Sequence, residues 1–98
     1  MRYSISEKAN QDIEKIWLYT LENWSLEQAD RYYNLILDQI EFIAENFESG
    51  KSVDYLKKGY RTSTVKSHII FYKKSRKNIV EIIRVLHQKM EIENRIDE

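Results

Sequence analysis

The chain has no cysteine, no proline and only two glycines, Gly50 and Gly59, in 98 residues. Without cysteine there is no disulfide framework, no thiolate nucleophile and no thiolate metal ligand, a usage that fits a reducing cytosol. So few glycines and no proline argue against disordered linkers and against a glycine-rich loop that cradles phosphate. Long apolar runs are missing as well. Met1-Arg2-Tyr3-Ser4-Ile5 leads straight into polar sequence, which gives no signal-peptide core, and no stretch approaches the ~20 apolar residues that cross a bilayer. No His/Asp/Glu grouping has metal-ligand spacing. What remains is a cytoplasmic chain of a size for one domain, spanning residues 1–98, with a single core.

Net charge is zero, but by cancellation between regions. Residues 1–50 hold four Lys/Arg against ten Asp/Glu, residues 51–89 eleven against two, and the last nine one against four. An anionic first half is thus joined to a strongly cationic second half. Charges are screened over about 8 Å at physiological salt, so the two surfaces act separately. The basic half suits RNA, DNA or an acidic protein segment.

Arg2 to Ile5 alternates and predicts a short first strand. Ser6 is placed to cap a helix carrying Ala9, Ile13, Ile16, Trp17, Leu21 and Trp24 at three- and four-residue steps. Ser25 is a second N-cap, with Gln28 completing a capping box and Trp24 positioned to staple against Ala29. The second helix runs with Leu26, Ala29, Tyr33, Ile36, Leu37, Ile40 and Ile43 toward Asn46, and Phe47 extends its apolar series. Two helices with almost no connection make a hairpin. Residues 48–52 read as a loop, and Val53 to Lys58 as a turn or an irregular segment. Tyr60–Val65, His68–Lys74 and Ile79–Leu86 read as strands. The last is apolar on both faces, as expected of a strand covered on both sides. The tail from Gln88 to Ile96 predicts a short helix, with Lys89 and Glu93 four residues apart.

The final strand ends in Arg84-Val85-Leu86-His87-Gln88-Lys89-Met90, a mixture that strand packing does not require. With Gly59-Tyr60-Arg61 and the two preceding helices, this stretch resembles the ParE branch of the RelE/ParE toxins of bacterial toxin–antitoxin modules. The resemblance spans essentially the whole chain. It implies an α+β fold: a first strand, a helical hairpin, then a three-stranded antiparallel meander in one sheet, with both helices on one face. It also implies a plasmid-stabilisation type of toxin that inhibits DNA gyrase by binding and is neutralised by a cognate antitoxin. No cofactor, metal, membrane or small-molecule substrate enters that expectation. The alternative within the superfamily is a RelE-like endoribonuclease that cuts mRNA on the ribosome.

Target contact is expected at Arg61, Arg84, His87, Gln88, Lys89 and Met90, and antitoxin contact at the aromatic helical residues Trp17, Tyr19, Trp24, Tyr32 and Tyr33. Under the ribonuclease alternative, Arg61, Arg84 and His87 are the catalytic candidates. Arg spreads charge over a phosphoryl centre, and His titrates near neutrality. In a regular strand Arg84 shares a face with Val80, Ile82 and Leu86, where it either pairs with a carboxylate of the helical half or joins Arg61 on a basic surface. Residues three apart in a strand point oppositely, so Arg84 and His87 converge only if the strand bulges or ends between them. His68, opening an apolar strand, reads as structural. The Lys73–Lys77 turn is either a solvated tip or, with Phe71 and Tyr72, a nucleic-acid contact.

Overall fold

The computed structural model describes residues 2–89. The chain runs β1 (Tyr3–Ile5), α1 (Glu7–Asn23), α2 (Leu26–Glu45), a 3₁₀ turn (Phe47–Ser49), β2 (Lys51–Ser52), β3 (Arg61–Val65), β4 (His68–Lys74) and β5 (Val80–His87). The strands form one sheet in the order β1-β5-β4-β3-β2. β1 lies parallel to β5, and the other pairs are antiparallel. The fold is α+β, as expected, with one strand more than the sequence implied.

Both helix starts follow from their caps. The Ser6 hydroxyl accepts the Ala9 N–H at 3.0 Å, and the Ser25 hydroxyl accepts the Gln28 N–H at 3.1 Å, each satisfying an otherwise orphaned donor. The expected staple is absent. Trp24 stays two-thirds exposed and leans on Tyr19 of the preceding helix, with ring centroids 6.0 Å apart, while Ala29 is fully buried. With no connecting residues to spare, α1 and α2 fold against one face of the sheet. Ile13, Ile36, Ile40 and Ile43 meet Ile70, Tyr72, Val80, Ile82 and Val85 there.

A second, smaller core covers the other face. Val53, Leu56 and Tyr60 of the β2–β3 loop pack on Phe71, Leu86, Ile69 and Ile83. The ambiguous segment after Ser52 is therefore a cover, which explains why β5 is apolar on both sides. β2 occupies part of the predicted loop: Lys51 pairs with Thr62 and Ser52 with Arg61. Gly50 permits this approach, because a Cβ there would come within 2.6 Å of the Thr62 carbonyl oxygen and would strike the Tyr72 hydroxyl. Two residues carry no alternation, so nothing in the sequence marked them as a strand.

β5 also departs from regularity. Phe71 faces Arg84 and Tyr72 faces Ile82, leaving Ile83 as a bulge residue. The bulge reverses the alternation, so Val80 and Ile82 join the helix-side core while Leu86 joins the second cluster. Arg84 therefore does not share one face with all three, as a regular strand would have required. Of the predicted C-terminal helix, Gln88 and Lys89 form a turn, and the remainder lies outside the described residues.

Candidate functional site

β1 ends at Ile82 of its neighbour, and beyond that point α1 takes over the edge of β5. The Ser6 hydroxyl donates to the Ile83 carbonyl at 2.8 Å. The Asp12 carboxylate accepts the Val85 N–H at 3.0 Å, Arg84 Nε at 2.8 Å and Arg84 Nη2 at 3.0 Å. Both side chains of this pair are about nine-tenths buried. Charge-assisted bonds from both prongs of the guanidinium, plus a backbone donor, satisfy the carboxylate and offset much of the desolvation. Arg84 is thus the internal partner of Asp12, one of the two readings its strand context allowed.

Arg61 sits elsewhere. It opens β3, donates from Nη1 to the Gly50 carbonyl at 2.8 Å and lies 5.5 Å over the Phe47 ring. Arg61 and Arg84 are committed to separate partners, so the shared basic surface, the other of the two readings, does not form. The Ile83 bulge lies before Arg84, not between Arg84 and His87, so these two do not converge either.

His87 instead meets His68. The two-residue turn Lys66-Ser67 closes β3 onto β4, and the register then sets His68 directly opposite His87. Their rings form an edge-to-face pair at 5.2 Å. Tyr32 of α2 completes the cluster: its hydroxyl donates to the Val65 carbonyl at 3.0 Å and lies 2.6 Å from His68 Nδ1. With the hydroxyl proton on Val65, Nδ1–H of His68 donates to the Tyr32 oxygen, and Nε2 keeps the lone pair. Burial, reinforced by the neighbouring His87 and opposed by Asp12, pushes the His68 pKa down from 6.5 to about 4. Burial also raises the Tyr32 pKa, against the lowering effect of the Ser67 backbone. Both groups are therefore neutral near pH 7.

This cluster lines a cavity of about 860 Å³ between the helical hairpin and the turn end of the sheet. Ile16, Tyr19, Trp24 and Leu35 supply apolar walls, Lys15 and Lys66 bring positive charge to the lining, and Arg31 joins it paired with Glu27 at 3.0 Å. Lys66 holds a left-handed φ of 52°, an uncommon conformation for a non-glycine residue, at the turn bordering the cavity.

The five aromatic candidates divide between two sides of the hairpin. Tyr19, Trp24 and Tyr32 line this cavity, whereas Trp17 and Tyr33 line a separate groove with Ile5, Glu14, Asp30 and Leu37. Trp17 Nε1 donates to Asp30 across that groove at 2.9 Å. Gln88 and Lys89 are exposed just past β5; the Gln88 N–H reaches the Ser67 carbonyl and the Lys89 N–H reaches His87 Nδ1. Met90 lies outside the described residues. His68, Lys66 and Arg31 were missed as cavity residues. The available signal was the two-residue gap between Val65 and His68, which makes a tight hairpin, but the match to His87 depends on register. Among the described residues no His/Asp/Glu grouping can hold a metal ion.

The family described as the ParE toxin of the type II toxin–antitoxin system parDE matches this chain over residues 3–92. The chain belongs to the ParE toxin family. It is 32% identical over 95 residues to Toxin ParE1 of Mycobacterium tuberculosis, covering 97% of each chain. It is 41% identical over 88 residues to Toxin ParE1 of Caulobacter vibrioides, covering 90% of each. Its fold is similar to that of a solved chain from the chromosomal ParDE system of P. aeruginosa, with a TM-score of 0.76 at 20% identity. That likeness covers 89% of this chain and 95% of the other. Membership of the ParE toxin family agrees with the resemblance carried by the Arg84–Met90 stretch.

Proposed function

We propose that this ParE-family toxin acts by binding, inhibiting DNA gyrase in the cytoplasm, and that a cognate antitoxin neutralises it. The observation that carries the binding mechanism is the Asp12–Arg84 pair. The ribonuclease reading assigns Arg61 and Arg84 to meet the developing phosphoryl charge beside a proton-transfer group. Arg84 instead gives its Nε and Nη2 donors to the internal carboxylate of Asp12, and Arg61 is engaged by the Gly50 carbonyl and the Phe47 ring. Target contact is assigned to His87, Gln88, Lys89 and Met90, with Arg84 bracing the strand that presents them. The test runs two assays in parallel on the purified protein: gyrase supercoiling with cleavage-complex formation, and mRNA cleavage on translating ribosomes. Gyrase inhibition without cleavage is the expected result; ribosome-dependent cleavage without gyrase inhibition contradicts it. The ribonuclease alternative draws its one support from the His68–His87–Tyr32 cluster, which sets two imidazoles and a phenol in the same cavity lining as Lys15 and Lys66.

The antitoxin is assigned to the cavity. An amphipathic, acidic segment fits its apolar walls and the Lys15 and Lys66 ammonium groups of its lining. Exposed Leu35 and Phe42 continue an apolar strip along α2, and β2 covers the outer edge of β3 only as far as Thr62, leaving room for an added strand. Trp24→Ala and Tyr32→Ala should each weaken antitoxin binding by about 2 kcal/mol or more in calorimetry, as aromatic anchors do. Trp17→Ala and Tyr33→Ala should change it by less than about 1 kcal/mol. The reverse ranking would move the antitoxin to the other groove.

A further inference from the structure

The opposite end of the sheet carries a surface that the toxin–antitoxin reading does not use. The loop at residues 53–60 leads into the start of β3, and the turn at 75–79 joins the end of β4 to β5, so both project from the same end. Between Lys51 and Val80 the sequence holds nine Lys or Arg residues and a single acid, Asp54. Asp54 Oδ1 accepts the Gly59 N–H at 2.8 Å and shapes the loop. The nearest following acid, Glu81, stands opposite Lys73 in the β4–β5 register. All but one of the nine cations lie toward this end; Lys66 belongs to the other turn.

The aromatic groups at this end are not the pair the sequence suggested. Phe71 and Tyr72 are buried on opposite faces and cannot stack on a ligand. Tyr60 is instead covered by two ammonium groups, Lys57 Nζ at 5.7 Å and Lys73 Nζ at 5.6 Å from its centroid. Tyr55, on the same loop, is 77% exposed, the most exposed large apolar side chain among the described residues. Lys58 on the same loop and Arg76 and Lys77 in the adjoining turn are also exposed. A ring left in solvent at a cationic end of the sheet costs solvation and strengthens neither core. Phosphates spaced along a strand match the cations, and an unpaired base matches the ring.

We propose that this end of the sheet binds single-stranded nucleic acid, with Lys58, Arg76 and Lys77 on phosphates and Tyr55 stacking on a base. Duplex is disfavoured because its bases are already stacked and cannot cover Tyr55. The proposal stands independently of gyrase as the target, since it uses none of the residues assigned to target or antitoxin contact.

The test is fluorescence anisotropy of the full chain with a labelled oligothymidine of about 12 nucleotides and, separately, a duplex of the same length, at several salt concentrations. Three phosphate contacts contribute about 2 to the fall of log K with log salt on a single strand. Lys58→Gln/Arg76→Gln/Lys77→Gln should lower the slope by that amount. Tyr55→Ala should weaken single-strand binding about 5- to 150-fold while leaving the residual duplex binding unchanged. Circular dichroism melting of each variant confirms that the exposed changes leave folding intact. No binding at 50 mM salt would overturn the proposal. So would equal affinity for duplex with no effect of Tyr55→Ala, or tighter binding to an acidic polypeptide than to the oligonucleotide.

Discussion

The two ends of the sheet are built on opposite plans. At the Lys66-Ser67 turn, polar groups point inward and are paired: Tyr32 with Val65 and His68, and His68 against His87. Nearby along β5, Asp12 holds Arg84 and Val85. No fully buried side-chain nitrogen or oxygen among the described residues lacks a partner. At the Lys57 and Arg76 end, cations spread outward over a thin second core, while Asp54 serves its own loop and Glu81 stands opposite Lys73. Polar groups in the first region hold the scaffold in register around a concave cavity. In the second they face solvent and are not held in a buried network. Sequence charge alone could not separate these plans, because Arg84 and Lys66 count with the basic half yet belong structurally to the inward end.

The largest expected effect lies at the inward end. Asp12→Ala leaves Arg84 buried without its carboxylate and removes the acceptor of the Val85 N–H. Such a break costs about 3–5 kcal/mol, which denaturant unfolding should register as a large drop in midpoint. A loss below about 1 kcal/mol would mean that the pair is no scaffold element and would return Arg84 to the candidates for target contact.

At the outward end, the corresponding weak point is steric. Gly50→Ala drives a methyl group into the Tyr72 hydroxyl and the Thr62 carbonyl, and it disturbs the bond from Tyr72 to the Phe47 carbonyl. Overpacking of this kind costs about 1–3 kcal/mol. A neutral result would show that β2 can lift away without consequence.

A smaller effect separates the ends by pH. Because His68 is neutral when folded, with a pKa near 4 against 6.5 for a free imidazole, the unfolded chain binds more protons between those values. Stability should therefore fall as the pH drops from 6.5 to 4. Partial exposure limits the size of the effect, so the slope of Tm with pH is the quantity to measure. His68→Gln should flatten that slope, whereas Lys77→Gln at the other end should leave it unchanged.

Much of the scaffold was legible because local chemistry dictated it. Ser6 and Ser25 cap where their side chains can reach backbone donors, and the β-branched runs became β4 and β5. The helical anionic half did supply a carboxylate for Arg84, but only the fold could select Asp12, 72 positions away. The Ile83 bulge, the two-residue β2 and the meeting of His68 with His87 are matters of register. Register is fixed by cross-strand packing rather than by any local pattern. That is why residues with chemical potential were recognised individually while their grouping was not. The aromatic set Trp17, Tyr19, Trp24, Tyr32 and Tyr33 shows the same limit, since helical spacing placed all five on the hairpin without revealing that they divide between two grooves.

The central claim is that the His87 end of β5 engages a target without transferring a proton. The most direct measurement is gyrase supercoiling inhibition by His87→Gln, a change that keeps hydrogen-bonding capacity and removes acid–base function. The account predicts an inhibitory concentration within about threefold of the parent, since glutamine keeps the polar contact of this half-buried side chain. A general acid or base contributes about 10²–10⁴-fold, so a collapse of toxicity on that scale, matched by loss of ribosomal mRNA cleavage, would contradict it.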